Sequence, residues 1–243
     1  VCGKVTGNKE WIEIAKKAWN HCRMLSGPCG FTPECLYEAD PVRRSETCAI
    51  MDYLDLTLVL AADGDESKWA EAEKVLRNHL IESQITSTAW ASDGETRPMD
   101  ELSSTEKVAE RMIGGFAGWS ALDHLLATAC WFDKGWIQSY ADPSHYVGKP
   151  RLFQNCCGPA GPRAIYQAWS QSLIFKGDTL YANMLVNRRI TGAGISVSEI
   201  CGNKIEIVVN VDKDCDLKLR LPEWTDSSAI TVLKNDQQCS FTT

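Results

Sequence analysis

Glu46 and Cys48 stand two positions apart in "ETCAIMDYLDL", where an apolar helical pattern begins, and Cys156 and Cys157 stand side by side in "FQNCCGPAGPR". Thiolate sulfur and carboxylate oxygen are both accepted by zinc in tetrahedral sites, so two such pairs, far apart in sequence, supply four donors for one ion. The Glu-x-Cys pair sits at a helix start, which lets Cys48 turn toward the other pair. Neighbouring cysteines cannot point the same way from a regular helix or strand. Gly158 and Pro159, however, favour an irregular turn in which both thiols converge. The spacing is not that of a zinc finger. The same residues also fit a packing role, with Cys48 in the core and the cysteine pair in a crowded loop.

The elements that must carry these residues change character along the chain. "KEWIEIAKKAWNHCRML" sets Trp11, Ile14, Ala15, Ala18, Trp19 and Cys22 at helical spacing, one apolar stripe with Lys16 and Lys17 outside it. "ETCAIMDYLDLTLVLAAD" and "SKWAEAEKVLRNHLIESQI" repeat the pattern across "DGDE", which predicts an αα-hairpin whose second helix is capped by Ser67. Further helices are predicted over "GGFAGWSALDHLLATACWF", entered through a glycine turn, and over "GPRAIYQAWSQSLIF", with "SDGETRPMDELSSTEK" as a loop. From Asp178 the period becomes two. "TLYANMLVNRRI", "GISVSEI", "KIEIVVNV", "DLKLRLPEW" and "AITVL" read as short antiparallel strands between Gly, Asn and Asp turns. Helices followed by strands, rather than an alternation of the two, predict two packed modules divided near Gly177: a mainly α region over 1–177 and a β region over 178–243.

The chain has 243 residues, 44% of them hydrophobic, enough to bury a substantial core. A net charge of -7 argues against a nucleic-acid partner, and a carbohydrate or another small neutral substrate suits the composition better. No apolar run is long enough to span a bilayer. "VCGKVTGNKEW" has neither an initiator Met nor the pattern of a signal peptide, so the chain is expected to begin inside a longer protein, leaving compartment and oligomeric state unread. Eleven cysteines in a chain with long helical patterns predict reduced thiols rather than a disulfide scaffold, and an adjacent pair lacks the Cys-x-x-Cys geometry of thiol oxidoreductases. Cys22, Cys130, Cys201 and Cys215 fall in settings where a thiol serves as a small apolar group.

In order, "GFTPEC", "ETCA", "GGFAGWS", "NCCGPAGPR", "GDTLYANM" and "LKLRLPEW" resemble the β-L-arabinofuranosidases of glycoside hydrolase family 127 and their close relatives, over about Trp11 to Val232. The resemblance implies part of an (α/α)6 barrel as the catalytic region over 1–177, followed by the start of a β-sandwich over 178–243. It further implies a zinc ion held by Glu46, Cys48, Cys156 and Cys157, with Cys156 also the nucleophile and Glu34 the general acid/base of a retaining glycosidase. Thiolate sulfur would then replace one of the usual two carboxylates. Trp119, His145 and Tyr146 are the candidate substrate contacts; aromatic rings at helical spacing serve equally as core. His21, His79 and His124 are assigned to helix faces or core. Departures from the family are a shorter segment between Glu34 and Glu46, Gln154 where many members carry another Cys, and the absence of the N-terminal barrel helices. A non-catalytic carbohydrate-binding or scaffold protein with a structural zinc is the alternative that the same four ligands allow.

Overall fold

The computed structural model describes residues 1–34, 45–89, 101, 106–107, 109–120, 156–200, 204–223 and 225–242. The chain runs from helices to small β-sheets and divides into two compact units, Val1–Gln171 and Ser172–Thr243. The division falls ahead of Gly177 because Leu173–Lys176, read from sequence as the end of a helix, is a strand that pairs with Thr179–Ala182 across the Gly177 turn. Leu173 and Leu180 are fully buried, and β-sheet pairing satisfies the backbone that carries them.

In the first unit, α1 (Cys2–Thr6) leads into α2 (Lys9–Leu25), whose first turn is capped by the Asn8 side chain accepting from the Trp11 N–H. α3 (Thr47–Ala62) and α4 (Lys68–Val75) form the expected hairpin. Ile50, Leu54 and Leu58 of α3 are completely buried, as are Ala72 and Val75 of α4. Ser67 does not cap α4 as the sequence predicts. Its hydroxyl donates instead to Asp65 Oδ1 at 2.6 Å, and the α4 start is held by Lys68 N–H bonding the Asp65 carbonyl.

The stripe on α2 is used only in part. Trp19 anchors it, donating from Nε1 to Thr57 Oγ1 at 2.8 Å, stacking on Tyr53 and receiving the Lys68 ammonium 3.5 Å from its ring centroid. Ile12, Ala15 and Cys22 are half-buried, whereas Trp11, Ile14 and Ala18 lie exposed. The helix is rotated so that the edge of its apolar face, not the centre, meets α3. With Trp11 49%, Ile14 56% and Met24 76% exposed, the isolated chain should self-associate. Sedimentation velocity over a hundredfold concentration range is expected to show mass growing with concentration. A single monomeric species that binds no apolar dye would contradict this.

Two further departures bear on the site. The helix predicted over residues 67–85 is α-helical only to Val75; Leu76–Leu80 widens to a π-helical turn and Ile81–Ser83 closes as a 3-10 turn. The described part of "GGFAGWSALDHLLATACWF" is an extended ribbon rather than a helix, with Trp119–Ser120 as β2 paired antiparallel to β1 (Ser45–Glu46). α5 runs over Cys157–Ser172, beginning at the cysteine pair itself rather than after it.

The second unit is built of strands. β3 (Leu173–Lys176), β4 (Thr179–Ala182) and β8 (Asp216–Leu219) form one three-stranded sheet in which β4 and β8 are parallel. β5 (Arg188–Ile190), β6 (Ala193–Ile200) and β7 (Lys204–Val211) form an antiparallel second. Leu173, Leu180 and Ala182 from the first sheet join Ala193 and Ile195 from the second in one buried cluster, with Phe175, Val197, Ile207 and Val209 against it. Alternation of period two thus places one face of each sheet inward. "AITVL" is not a strand: residues 227–229 form a 3-10 turn, and only Leu233–Lys234 (β9) pairs, with Gln237–Gln238 (β10).

Candidate metal centre

Glu46 is the last residue of β1 and the cap residue of α3, and Cys48 lies in the first turn of α3. Cys156 immediately precedes α5, and Cys157 is its first residue. The N-termini of two helices therefore converge on one point, each with its positive dipole end directed there, and the Cys48 backbone N–H bonds to the Cys157 thiol. The expected irregular turn at the cysteine pair is replaced by a helix start, which separates the two thiols enough for both to face the same neighbours.

A ribbon from Gly114 to Ser120 fixes these two helix ends. It is bonded to residues 83–85 through Gly114 N–H to the Ile85 carbonyl, Ile85 N–H to the Gly115 carbonyl, and Ala117 N–H to the Ser83 carbonyl. On its other side Glu46 pairs with Trp119, and the buried Thr47 hydroxyl donates to the Ala117 carbonyl at 2.6 Å. Gly118 then offers its carbonyl to Cys157 Sγ at 3.5 Å. Phe116, 1% exposed, lies flat against α5 at Gly161, where an added Cβ would stand 2.2 Å from the ring. Only glycine permits that approach, and the approach sets where α5 begins relative to α3.

The four donors meet. Their ligand atoms all lie within 4.8 Å of one another. Cys48 and Cys157 sulfurs are 3.7 Å apart and those of Cys156 and Cys157 are 4.0 Å apart. Glu46 Oε1 stands 3.5 Å from Cys156 Sγ and 3.7 Å from Cys157 Sγ. Cys157 is fully buried, Glu46 and Cys48 are intermediate, and Cys156 is exposed. Burial pushes Cys157 up to about 12 and carries Cys48 well above the ordinary thiol range, where the neighbouring thiols and Glu46 add to it. Glu46 is raised too, first by burial and then by the negative charge of Glu34. Glu46, Cys48 and Cys157 thus share a partly desolvated space in which, among the described residues, no basic side chain is a leading cause of their shifts. Such a set can hold a metal ion, whose charge reverses the cost of ionising them.

No protein-family model matches this chain, and no curated protein does. A solved structure to which it is similar is that of Ara127N-Se, a GH127 beta-L-arabinofuranosidase from Geobacillus stearothermophilus T6. The identity is 14% and the TM-score 0.42, over 82% of this chain and 28% of that one.

The remaining candidates are distributed unevenly. Glu34 is half-buried, and its effect on Glu46 places it in the electrostatic neighbourhood of the cluster. Trp119 is positioned by its backbone pairing to Glu46. His145 and Tyr146 lie outside the described residues, as do Cys130 and Cys201. None of the eight described cysteines, Cys22 and Cys215 among them, is in a disulfide. Sequence reasoning missed the Gly114–Ser120 ribbon, whose Gly118 carbonyl touches Cys157. "GGFAGWS" carries a signal for it only in its glycines, since its apolar residues continue a helical pattern.

Proposed function

We propose that this chain carries the centre of a zinc-dependent retaining glycoside hydrolase acting on β-L-arabinofuranosides or related plant glycans. Cys156 is its nucleophile and Glu34 its general acid/base. The observation that carries the reading is the graded exposure of the donor set: Glu46, Cys48 and Cys157 are wholly or partly buried, whereas Cys156 is exposed. A purely structural site has no need to present one ligand to solvent. Four of the six edges of the cluster come near the dimensions of a zinc site, and all six lie within 4.8 Å. Tetrahedral coordination with Zn–S of about 2.3 Å and Zn–O of about 2.0–2.2 Å sets two thiolates about 3.8 Å apart and a thiolate about 3.5–3.6 Å from a carboxylate oxygen. The observed separations are 3.7 and 4.0 Å between sulfurs and 3.5 and 3.7 Å from sulfur to Oε1.

Glu46, Cys48, Cys156 and Cys157 would hold the ion, which when bound supplies the positive charge that keeps the thiols deprotonated at neutral pH. The Cys156 sulfur attacks the anomeric carbon as the glycosidic C–O bond breaks, and Glu34 gives its proton to the departing oxygen. Glu34, now a carboxylate, takes a proton from water; the water oxygen attacks the same carbon, the C–S bond breaks and Cys156 leaves as thiolate. Two displacements at one carbon retain its configuration. The helix N-termini of α3 and α5 stabilise negative charge on the sulfur both before attack and on departure.

Elemental analysis of the purified protein should find about one zinc per chain, reduced by Cys48→Ala and abolished when Glu46, Cys48, Cys156 and Cys157 are all replaced by Ala. Full zinc content in the quadruple variant would remove the basis of this assignment.

A further inference from the structure

Ahead of Glu34 the chain makes a tight loop, and the π-helical turn Leu76–Leu80 holds it at successive points. Asn78 Nδ2 donates to the Cys29 carbonyl at 3.0 Å. The next residue, His79, accepts the Thr32 N–H on Nδ1 at 3.1 Å and stacks its ring on Phe31 with centroids 4.9 Å apart. Between these, Gly30 adopts φ +96 and lies so close to α4 that a Cβ would stand 3.0 Å from the Lys74 carbonyl. Gly27 N–H closes the loop on the Phe31 carbonyl at 2.8 Å. Phe31 and Thr32 are 7% and 2% exposed, so the loop runs from an exposed start at Cys29 into the interior of the unit.

Adjacent residues on a regular α-helix diverge in direction, and the wider π turn lets Asn78 and His79 both face this loop. Retaining the turn has a cost in backbone geometry, and a second cost is visible at His79. Its Nδ1 accepts, so the ring is neutral with its proton on Nε2, and that buried atom has no hydrogen bond among the described residues. Burial, opposed in part by the Gly30 backbone, lowers His79 to about 4, so the acceptor persists through neutral pH.

We infer that His79, assisted by Asn78 on the same π-helical turn, is a positioning residue that fixes the 29–32 loop and thereby aims Glu34 at the Cys156 centre. The bond to Thr32 N–H is two residues from Glu34, with Pro33 between them restricting the backbone, so little freedom is left to the carboxylate's attachment point. The catalytic meaning rests on Glu34 being the acid/base; the anchoring itself does not.

The test uses the zinc-loaded protein and two readings, amide hydrogen exchange across Phe31–Glu34 and turnover of an activated aryl β-L-arabinofuranoside. His79→Leu removes the acceptor, and exchange at Thr32 should accelerate by about 100-fold or more. Its kcat should fall about 100-fold with KM changed less than about threefold and zinc content unchanged. His79→Asn, whose Oδ1 lies near the position of Nδ1, should restore both to within about tenfold of wild type. Should His79→Leu fail to fold, Asn78→Ala takes its place, with faster exchange at the amides of residues 29–32 and a smaller fall in kcat. Wild-type exchange in the variant, or faster exchange with unchanged kcat in an active protein, overturns the proposal. If the wild-type protein neither turns over nor is labelled by the glycoside, the hydrolase reading fails, and the exchange data alone decide whether His79 anchors the loop.

Discussion

Replacing Cys156 by Ala should abolish glycosyl transfer in the full-length protein, even toward an activated aryl glycoside, with a fall of about 10⁴-fold or more in kcat. Zinc bound through Glu46, Cys48 and Cys157 should be retained at reduced affinity, so the loss is one of chemistry rather than of fold. Glu34→Gln should behave differently. A good leaving group needs little protonation, so the first displacement survives while breakdown of the thioglycoside slows for want of a base. The sugar should then accumulate on Cys156, seen as a mass increase of the intact protein and located by peptide mapping. A label on Glu34, or full activity in Cys156→Ala, would return Cys156 to a purely structural ligand and leave the protein a scaffold with a closed metal site.

The second large effect concerns the metal. Extraction by a chelator should lower the melting temperature by roughly 8–16 °C. At a thousandfold excess over Kd a ligand contributes about 4 kcal/mol, and each kcal/mol moves the melt of a domain this size by about 2–4 °C. The pH trends of the two forms should be opposite. Binding must displace the protons of the three thiol ligands, which burial holds on Cys48 and Cys157, so apparent affinity should fall by about 1000-fold for each pH unit of acidification, three protons being exchanged per ion. In the metal-free protein the sign reverses: neutral Cys157 is favoured by folding, a contribution complete below the thiol's ordinary value of 9.0 and lost as pH rises toward about 12. Metal-free protein should therefore lose stability above pH 9. Equal melting curves before and after metal extraction would show that the cluster clamps nothing.

How much of this was legible in the residues depended on range. Glu46, Cys48, Cys156 and Cys157 could be grouped from sequence because their chemistry is unusual and few partners suit it; their convergence within 4.8 Å follows. The helix over α3 and the strands β6 and β7 announce themselves through local period. Features decided by tertiary contact did not. Leu173–Lys176 extends an apolar helical pattern yet is a strand, because β4 and the Gly177 turn compete for its backbone. Nothing in "LRNHL" marks a π turn, since what widens the helix there lies forty-odd residues earlier, in the loop ending at Thr32. The α2 stripe was read correctly as apolar but not for which edge is covered, a choice made by Trp19 finding Thr57, Tyr53 and Lys68.

The donor pairs are separated by a long stretch of chain, 109 residues between Cys48 and Cys157. During synthesis at about 5–20 residues per second, Glu46 and Cys48 leave the ribosome roughly 5–20 s before their partners exist. For that interval the nascent chain exposes a carboxylate and a thiol that no completed site protects, open to oxidation and to any thiophilic ion. The β1–β2 ribbon cannot shield them early, because Trp119 and Ser120 also arrive some seventy residues later. A metal held by all four donors would therefore be taken up late, once α5 has emerged.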